Sequence, residues 1–299
     1  MVNGPKPTYA NVSYGQDASD VLDFWKAPAD KPTPLVVFIH GGGFSAGDKR
    51  DVVRNGDVIT PRLNDGVSFA AINYRLVGKA VLPDIMRDCA RAIQFLRTKG
   101  PEWNIKKSRV AVYGSSAGAG ASLWLAFHKD VADPQSSDPV LRQSMRPVVV
   151  GALSTQCTYD VRHWPAIIGP FSGQVPERLR LVFFHFKSRA DEETPEGQRM
   201  RADVDLIHLM SKDAAPFFAF TPAKVEPAPN LPGYIHDPRH ALALEQRAKE
   251  VGLECAVFVK GTPVPDGLTT REYMWKFFYE HLGITEAPSS SLGAGEAGR

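Results

Sequence analysis

The chain has 299 residues, 43% of them hydrophobic and 23% charged, which is the composition of a globular protein with a sizeable core. Its 35 Lys and Arg residues against 33 Asp and Glu residues give a net charge of +2, and the basic residues are scattered along the chain. This distribution argues against nucleic acid as a partner. No apolar run reaches the roughly 18 residues of a membrane span, so no span is predicted.

The cysteines argue against a metal centre. Cys89, Cys157 and Cys255 are an odd number at wide spacings, without a CxxC pair or a Cys/His group, so we predict buried free thiols and no metal site. The first residues lack a charged-then-apolar signal segment. That pattern fits a soluble cytoplasmic protein and equally a secreted one after signal-peptide removal, so the compartment stays open, as does the oligomeric state.

The predicted strands begin near the N-terminus, where residues 9–26 indicate one or two strands at an antiparallel edge. Six short apolar runs follow, each succeeded by a helix-like stretch. Continuous apolar runs of this length are typical of strands buried on both faces, and alternation with helices predicts a parallel sheet of βα units. The runs are residues 35–39, 69–72, 110–113, 148–153, 217–220 and 256–259.

Two helices are predicted with particular clarity. Residues 83–99 carry apolar side chains at helical spacing. Thr269 and Glu272 have capping-box spacing before an aromatic stretch, and Gly283 is placed to end that helix.

The segments between and after these elements set the domain boundaries. Residues 157–212 lack a strand pattern, and we interpret them as a lid-like insertion over the carboxyl edge of the sheet, where such folds keep their ligands. Residues 1–286 are expected to form a single domain. Residues 287–299 are rich in Ser, Gly and Ala and are expected to be a disordered tail.

The first chemical motif is the turn after the third apolar run. Residues 114–118 read Gly-Ser-Ser-Ala-Gly and fit G-x-S-x-G between a strand and a helix. In this arrangement Ser116 sits on a sharp turn with its hydroxyl exposed, ready to act as a nucleophile once a base removes its proton. A Gly/Ser-rich connection without chemical consequence is the alternative, and the strand-turn-helix context argues against it.

The second motif is a glycine-rich loop after the first apolar run, where residues 40–44 read His-Gly-Gly-Gly-Phe. Glycines let the backbone approach a substrate carbonyl closely, so the N–H groups of Gly42, Gly43 and Ala117 are predicted to form an oxyanion hole. A phosphate-binding loop is the alternative, but the G-K-[ST] ending is missing. We interpret His40 as a residue that braces the loop, with a catalytic base as the less favoured reading.

Together these two motifs, about seventy residues apart, resemble those of the esterase/lipase branch of the α/β-hydrolases, which includes hormone-sensitive-lipase-like and feruloyl-esterase-like enzymes. The likeness covers roughly residues 20 to 283. It implies an α/β-hydrolase fold with a central, mostly parallel sheet flanked by helices. It also implies hydrolysis of a small-molecule carboxylic ester through an acyl-enzyme on Ser116, without a cofactor.

The acid and the histidine of that family do not fall where the chain order serine, acid, histidine would put them. Glu226 is the nearest carboxylate after the run at 217–220. The loop at 260–267, where the histidine is expected, contains none, and His281 comes too late. We therefore predict His236 as a displaced base, with Glu226 or, alternatively, Asp237 orienting it; a helix N-cap is the other reading of Asp237.

Three functions remain open at this point. The first is a serine carboxylesterase whose base is displaced. The second is a binding protein that keeps the fold and the oxyanion loop but has lost an effective base. A peptidase or amidase is the third, and the absence of an accessory domain argues against it.

Overall fold

A computed structural model describes residues 4–54, 56–173, 175 and 177–284. Within these ranges eight strands form one sheet in the order β1-β2-β4-β3-β5-β6-β7-β8. The predicted tail at 287–299 lies outside the described residues. The strands are β1 (Tyr9–Ser13), β2 (Val21–Trp25), β3 (Thr33–Ile39), β4 (Ser68–Ile72), β5 (Ile105–Ser115), β6 (Val149–Leu153), β7 (Phe217–Thr221) and β8 (Cys255–Val259).

The pairing of the strands confirms the predicted α/β class. β1 pairs with β2 and β2 with β4 in antiparallel fashion, which confirms the antiparallel edge. From β4 to β8 all pairs are parallel. The carboxyl ends of these parallel strands therefore meet at one edge, where the loops after β3, β5, β6 and β7 come together.

Helices cover both faces of the sheet because the central strands are apolar on both sides. Along β3, Leu35, Val37 and Ile39 join the larger core cluster, whereas Val36 and Phe38 join the second one. The helices are α1 (Ile59–Asn64), α2 (Leu82–Thr98), α3 (Gly100–Trp103), α4 (Ala117–Phe127), α5 (Trp164–Ile168), α6 (Glu177–Leu181), α7 (Arg189–Glu192), α8 (Pro195–Asp203), α9 (Leu206–Leu209), α10 (Leu231–Ile235), α11 (Arg239–Val251) and α12 (Thr270–Leu282).

The two clearly predicted helices are present. α2 matches the predicted helix at 83–99 within one residue at each end. The N-terminus of α12 is closed by the reciprocal bonds of Thr269 and Glu272, and Gly283 ends the helix in the left-handed conformation at φ 68°.

The chain between β6 and β7 carries helices α5 to α9, and no strand occurs among its described residues. Short 3₁₀ helices Val161–His163 and Val182–Phe184 complete this segment, and two others lie at Lys49–Val53 and Pro265–Gly267. Over the described residues, no helix combines the length and the apolar character needed to cross a bilayer.

The cysteine prediction needs one correction. All three thiols are free; Cys89 and Cys157 are buried, but Cys255 is only partly buried. Cys255 opens β8, the last strand in the sheet order, so no other strand of the described chain pairs with its outer side.

Candidate active site

Ser116 occupies a strained turn between β5 and α4. Its φ of 53° and ψ of −116° lie in a region that non-glycine residues rarely adopt, and such strain is concentrated at functional sites. The turn is held because the Ser116 N–H donates to the Leu153 carbonyl at 2.8 Å. Its glycines are sterically required, since a Cβ on Gly114 would lie 2.5 Å from the Ile39 carbonyl oxygen.

The glycine-rich loop folds back against this turn. A Cβ on Gly41 would lie 3.6 Å from the Ser116 Cβ, so the two loops are in close contact. Gly42 and Gly43 have φ values of 106° and 61°, which favour glycine. Among the described residues, the N–H groups of Gly42, Gly43 and Ala117 donate to no backbone carbonyl. They are the unengaged donors that an oxyanion hole requires.

His40 braces this loop, in agreement with the favoured reading of the sequence. Its side chain is buried, its Nδ1 donates to the Gly41 carbonyl at 2.8 Å, and its ring stacks on Tyr74 at 4.2 Å between centroids. The Tyr74 hydroxyl donates to the His40 carbonyl at 2.8 Å. Burial lowers the pKa of His40, so the ring stays neutral.

His236 lies directly against the serine. The distance between Ser116 Oγ and His236 Nε2 is 2.9 Å, although 120 residues separate them in the chain. His236 follows the single-turn helix α10, and its Nδ1 lies 3.1 Å from the Pro232 carbonyl oxygen. A carbonyl can only accept, so Nδ1 carries a proton and, in the neutral ring, Nε2 is the acceptor. Burial lowers the pKa of His236, which favours that neutral form.

Neither carboxylate proposed as the orienting acid contacts His236. Glu226 is exposed in the loop after β7 and forms no hydrogen bond within the described part of the chain. Asp237 is buried, but its oxygens accept from the Arg239 guanidinium at 2.6 and 2.8 Å and from the Arg239 N–H at 2.9 Å. Asp237 is not the N-cap of α11 either, because that position is Pro238; its side chain instead pairs with Arg239, the first residue of the helix. The group beside His236 Nδ1, where a carboxylate was expected, is the Pro232 carbonyl oxygen.

The remaining histidines near the chain terminus are accounted for elsewhere. His281 donates from Nδ1 to the Phe277 carbonyl inside α12, and its Nε2 lies 3.4 Å from Glu254. His240 is buried, with Nδ1 3.3 Å from the Cys157 Sγ. Neither ring bonds to Ser116.

A cavity of about 380 Å³ opens beside the Ser116 hydroxyl. Among the side chains that the structure describes, none of those lining it is charged. Its polar groups are few. They are the hydroxyls of Ser45, Ser116 and Tyr159, the Gln156 amide and the backbone of the glycine-rich loop. The apolar lining consists of Phe44, Val161, Trp164, Leu179, Val182, Phe183 and Ile235, together with the Tyr159 ring. A site of this size and lining suits a small, uncharged, largely apolar group.

Three contributors to the site carried no recognisable sequence signal. The Pro232 carbonyl is a backbone group, and every residue has one. Gln156 and Tyr159 lie just beyond β6, and the only available hint was their position after an apolar strand that ends at the same sheet edge as β5.

The amino-terminal half of the chain matches a known family: residues 22–154 match BD-FAE. Among curated relatives, the probable carboxylic ester hydrolase LipM of Mycobacterium tuberculosis is 25% identical over 214 residues, which cover 70% of this chain and 46% of LipM. The chain spans less than half the length of the curated relatives it matches.

Two solved structures share the fold. A truncated carbohydrate esterase from gut microbiota superposes with a TM-score of 0.67 at 17% identity, over 92% of this chain and 96% of that one. Esterase 2 of Thermogutta terrifontis, phosphonylated by sarin, gives a TM-score of 0.62 at 18% identity, over 92% and 96% of the two chains. Fold, family match and relatives agree with the two loop motifs: the chain has the α/β-hydrolase fold, and it is similar to members of the esterase/lipase branch of that superfamily.

Proposed function

We propose that this protein is a serine hydrolase that cleaves small-molecule carboxylic esters through an acyl-enzyme on Ser116. The observation that carries the proposal is the 2.9 Å contact between the Ser116 hydroxyl and His236 Nε2, because Nε2 is the acceptor in the tautomer that Pro232 selects. The name of LipM and the phosphonylation of Thermogutta esterase 2 support the same chemistry.

The nucleophile and the base of the first half-reaction, Ser116 and His236, are already in contact. Ser116 Oγ attacks the ester carbonyl carbon while its proton passes to His236 Nε2. The carbonyl oxygen gains a negative charge, which the N–H groups of Gly42, Gly43 and Ala117 would receive. Collapse of the intermediate breaks the bond to the alcohol oxygen, and His236 returns the proton to that leaving alcohol.

The second half-reaction regenerates the serine. A water molecule gives a proton to His236 Nε2 and attacks the acyl carbonyl, the same N–H groups receive the oxyanion, and the proton returns to Ser116 Oγ as the acid departs. Side chains, backbone groups and water account for every bond and proton transfer in the two half-reactions, so the scheme requires no cofactor.

The orienting group in this scheme is a dipole and not a carboxylate. The Pro232 carbonyl at 3.1 Å fixes the tautomer and the direction of the ring, which are two of the tasks of the usual acid. It carries no full negative charge, so it stabilises the imidazolium less than an aspartate would. We therefore expect a slower enzyme than one with a complete triad.

The cavity suggests the substrate class. The described lining offers no counter-charge, and transfer of a charged group into such surroundings is costly, so an uncharged, mainly apolar acyl or alcohol group is favoured. Several cavity residues, Trp164 and Phe183 among them, come from the chain between β6 and β7. We propose that residues 157–212 form a lid-like insertion within a single hydrolase domain.

Labelling with a fluorophosphonate tests the proposal. The wild-type protein should be modified at Ser116 between about pH 6 and 9 and should hydrolyse short p-nitrophenyl esters. Both activities should disappear in Ser116→Ala. In His236→Ala the rate should fall by at least about a hundredfold. His281→Ala is the matched control, because that ring bonds within α12 and to Glu254.

A second candidate function is a binding protein with an ineffective base. It is favoured because, within the described part of the chain, no carboxylate bonds to His236. An oxyanion hole alone can sustain residual turnover, so slow labelling does not separate the two. The effect of His236→Ala does: an unchanged, feeble rate supports the binding protein, and a large fall supports the enzyme.

A further inference from the structure

We propose that Gln156 is a positioning residue that keeps the base His236 in line with Ser116 by clamping the turn that carries it. The inference rests on the proposed function. It assigns to a buried side-chain amide part of the task that a carboxylate performs in a complete triad.

The contacts of Gln156 define the clamp. The residue is 3% exposed, and its Nε2 donates to the Ile235 carbonyl at 2.8 Å and lies 3.4 Å from the Ser154 carbonyl. Both partners can only accept, so the amide orientation is fixed with Nε2 toward them. Its Oε1 accepts from the Tyr159 hydroxyl at 3.4 Å. Each end of the amide thus has a partner of the right type.

The clamp matters because the helix before His236 is too short to hold itself. α10 has five residues, and isolated helices of that length are marginal in water. Ile235 is bonded directly to His236, and the Pro232 carbonyl that accepts from the ring also accepts the His236 N–H at 3.1 Å. Holding the Ile235 carbonyl therefore restrains the backbone on which both the ring and its orienting carbonyl depend.

The same side chain reaches the nucleophile side of the site. Ser154 directly follows β6, whose last residue Leu153 accepts the Ser116 N–H at 2.8 Å. One amide group thus bridges the strand end that holds the nucleophile turn and the turn that presents the base. Since a misplacement of about 1 Å can cost roughly a hundredfold in rate, a bridge at this point has kinetic consequences.

A second anchor acts on the opposite side of α10. The Tyr234 hydroxyl donates to the Gly169 carbonyl at 2.9 Å, and its ring stacks on Phe171 with centroids 4.8 Å apart. These contacts fix the helix to the insertion but do not reach the nucleophile side. The Gln156 amide, by contrast, joins the carbonyl that precedes the base to the strand end that holds Ser116, which makes Gln156 the residue to vary.

The test compares Gln156→Met and Gln156→Glu with Gln94→Met. Gln94 is a matched control: it is 1% exposed and its Nε2 also faces two main-chain carbonyls, Gln143 at 2.8 Å and Leu141 at 3.4 Å, far from the site. Steady-state hydrolysis of a p-nitrophenyl ester, the rate of fluorophosphonate labelling and the thermal midpoint Tm are measured for each variant.

We expect both Gln156 variants to lose about a hundredfold in kcat and in labelling rate with KM changed less than about threefold. Gln94→Met should lower Tm by a similar amount and leave kcat unchanged. Gln156→Glu keeps the side-chain shape and lacks a donor when its carboxyl group is ionised, so at about pH 8 to 9 it reports on the lost donor even if the methionine variant fails to fold. If kcat in the Gln156 variants stays within about threefold of Gln94→Met, the clamp is refuted while the hydrolase stands. If the wild-type protein is not labelled at all, the hydrolase and the clamp fail together.

Discussion

Replacement of Gly42 by alanine tests whether the glycine-rich loop supplies the oxyanion hole. A Cβ at Gly42 would clash with the Ala46 carbonyl, lying 2.6 Å from its carbon atom. The Ala46 N–H itself donates to the Gly42 carbonyl at 3.1 Å, so the loop cannot accept the methyl group without opening its own turn. Loss of one well-placed donor typically costs about 10²–10³ in rate, or about 2.7–4 kcal/mol, and kcat/KM should fall by that much.

Gly78→Ala separates the steric clash from the strain of the backbone. Gly78 has φ 107°, nearly equal to the 106° of Gly42, but a Cβ there would meet nothing within 4 Å. The left-handed conformation should destabilise both variants by about 1–2 kcal/mol, which corresponds to a Tm loss of about 2–8 °C in a domain of this size. Only Gly42→Ala should also lose activity. If its kcat/KM with p-nitrophenyl butyrate lies within about threefold of Gly78→Ala, the loop does not stabilise the transition state.

Three further predictions concern the base, a buried ion pair and the cavity. Burial lowers the pKa of His236 below its usual 6.5, and only the neutral ring accepts a proton. The ratio kcat/KM should therefore rise with pH and reach half of its maximum below about pH 6.5; a half-maximal rate at pH 7 or above would contradict this. Lys49→Met should cost about 3–5 kcal/mol in urea unfolding, because the Asp23 carboxylate, 2.7 Å from Lys49 Nζ and 91% buried, loses its counter-charge; Lys49→Met/Asp23→Leu should recover most of it. Phe183→Ala should enlarge the cavity and raise the ratio of kcat/KM for p-nitrophenyl octanoate to that for the acetate about tenfold, because burial of each additional methylene contributes about 0.8 kcal/mol. An unchanged ratio would show that Phe183 does not contact the substrate.

The strands were predictable where burial imposes a pattern on the sequence. β3 and β7 are continuous apolar runs because helices cover both of their faces, and the structure confirms them within two residues at each end. β5 shows the limit of that signal. It begins at Ile105, five residues before the predicted run. The start of the strand includes the exposed residues Lys106 and Lys107, which an apolar pattern cannot reveal.

The assignment of the acid failed for a different reason. The sequence offers Glu226 and Asp237 as carboxylates at a suitable place in the chain, but a carboxylate is recruited by whichever cation or N–H group lies nearest in space. Asp237 is taken by Arg239 two residues away, and Glu226 remains in solvent. The group that does orient His236, the Pro232 carbonyl, belongs to the backbone and leaves no mark in composition or spacing.

Local chemistry in the sequence determined the elements that depend on neighbours in the chain: the apolar strands, the capping of α12, and the glycines that let two loops approach each other. Contacts between distant parts of the chain were decided by the tertiary structure alone. The contact of Ser116 with His236 across 120 residues, the Pro232 carbonyl beside the His236 ring, and the bond from Gln156 to the Ile235 carbonyl all arise where loops from different strands meet at one edge of the sheet. Which groups meet there depends on the packing of the whole fold, and no stretch of sequence encodes that by itself.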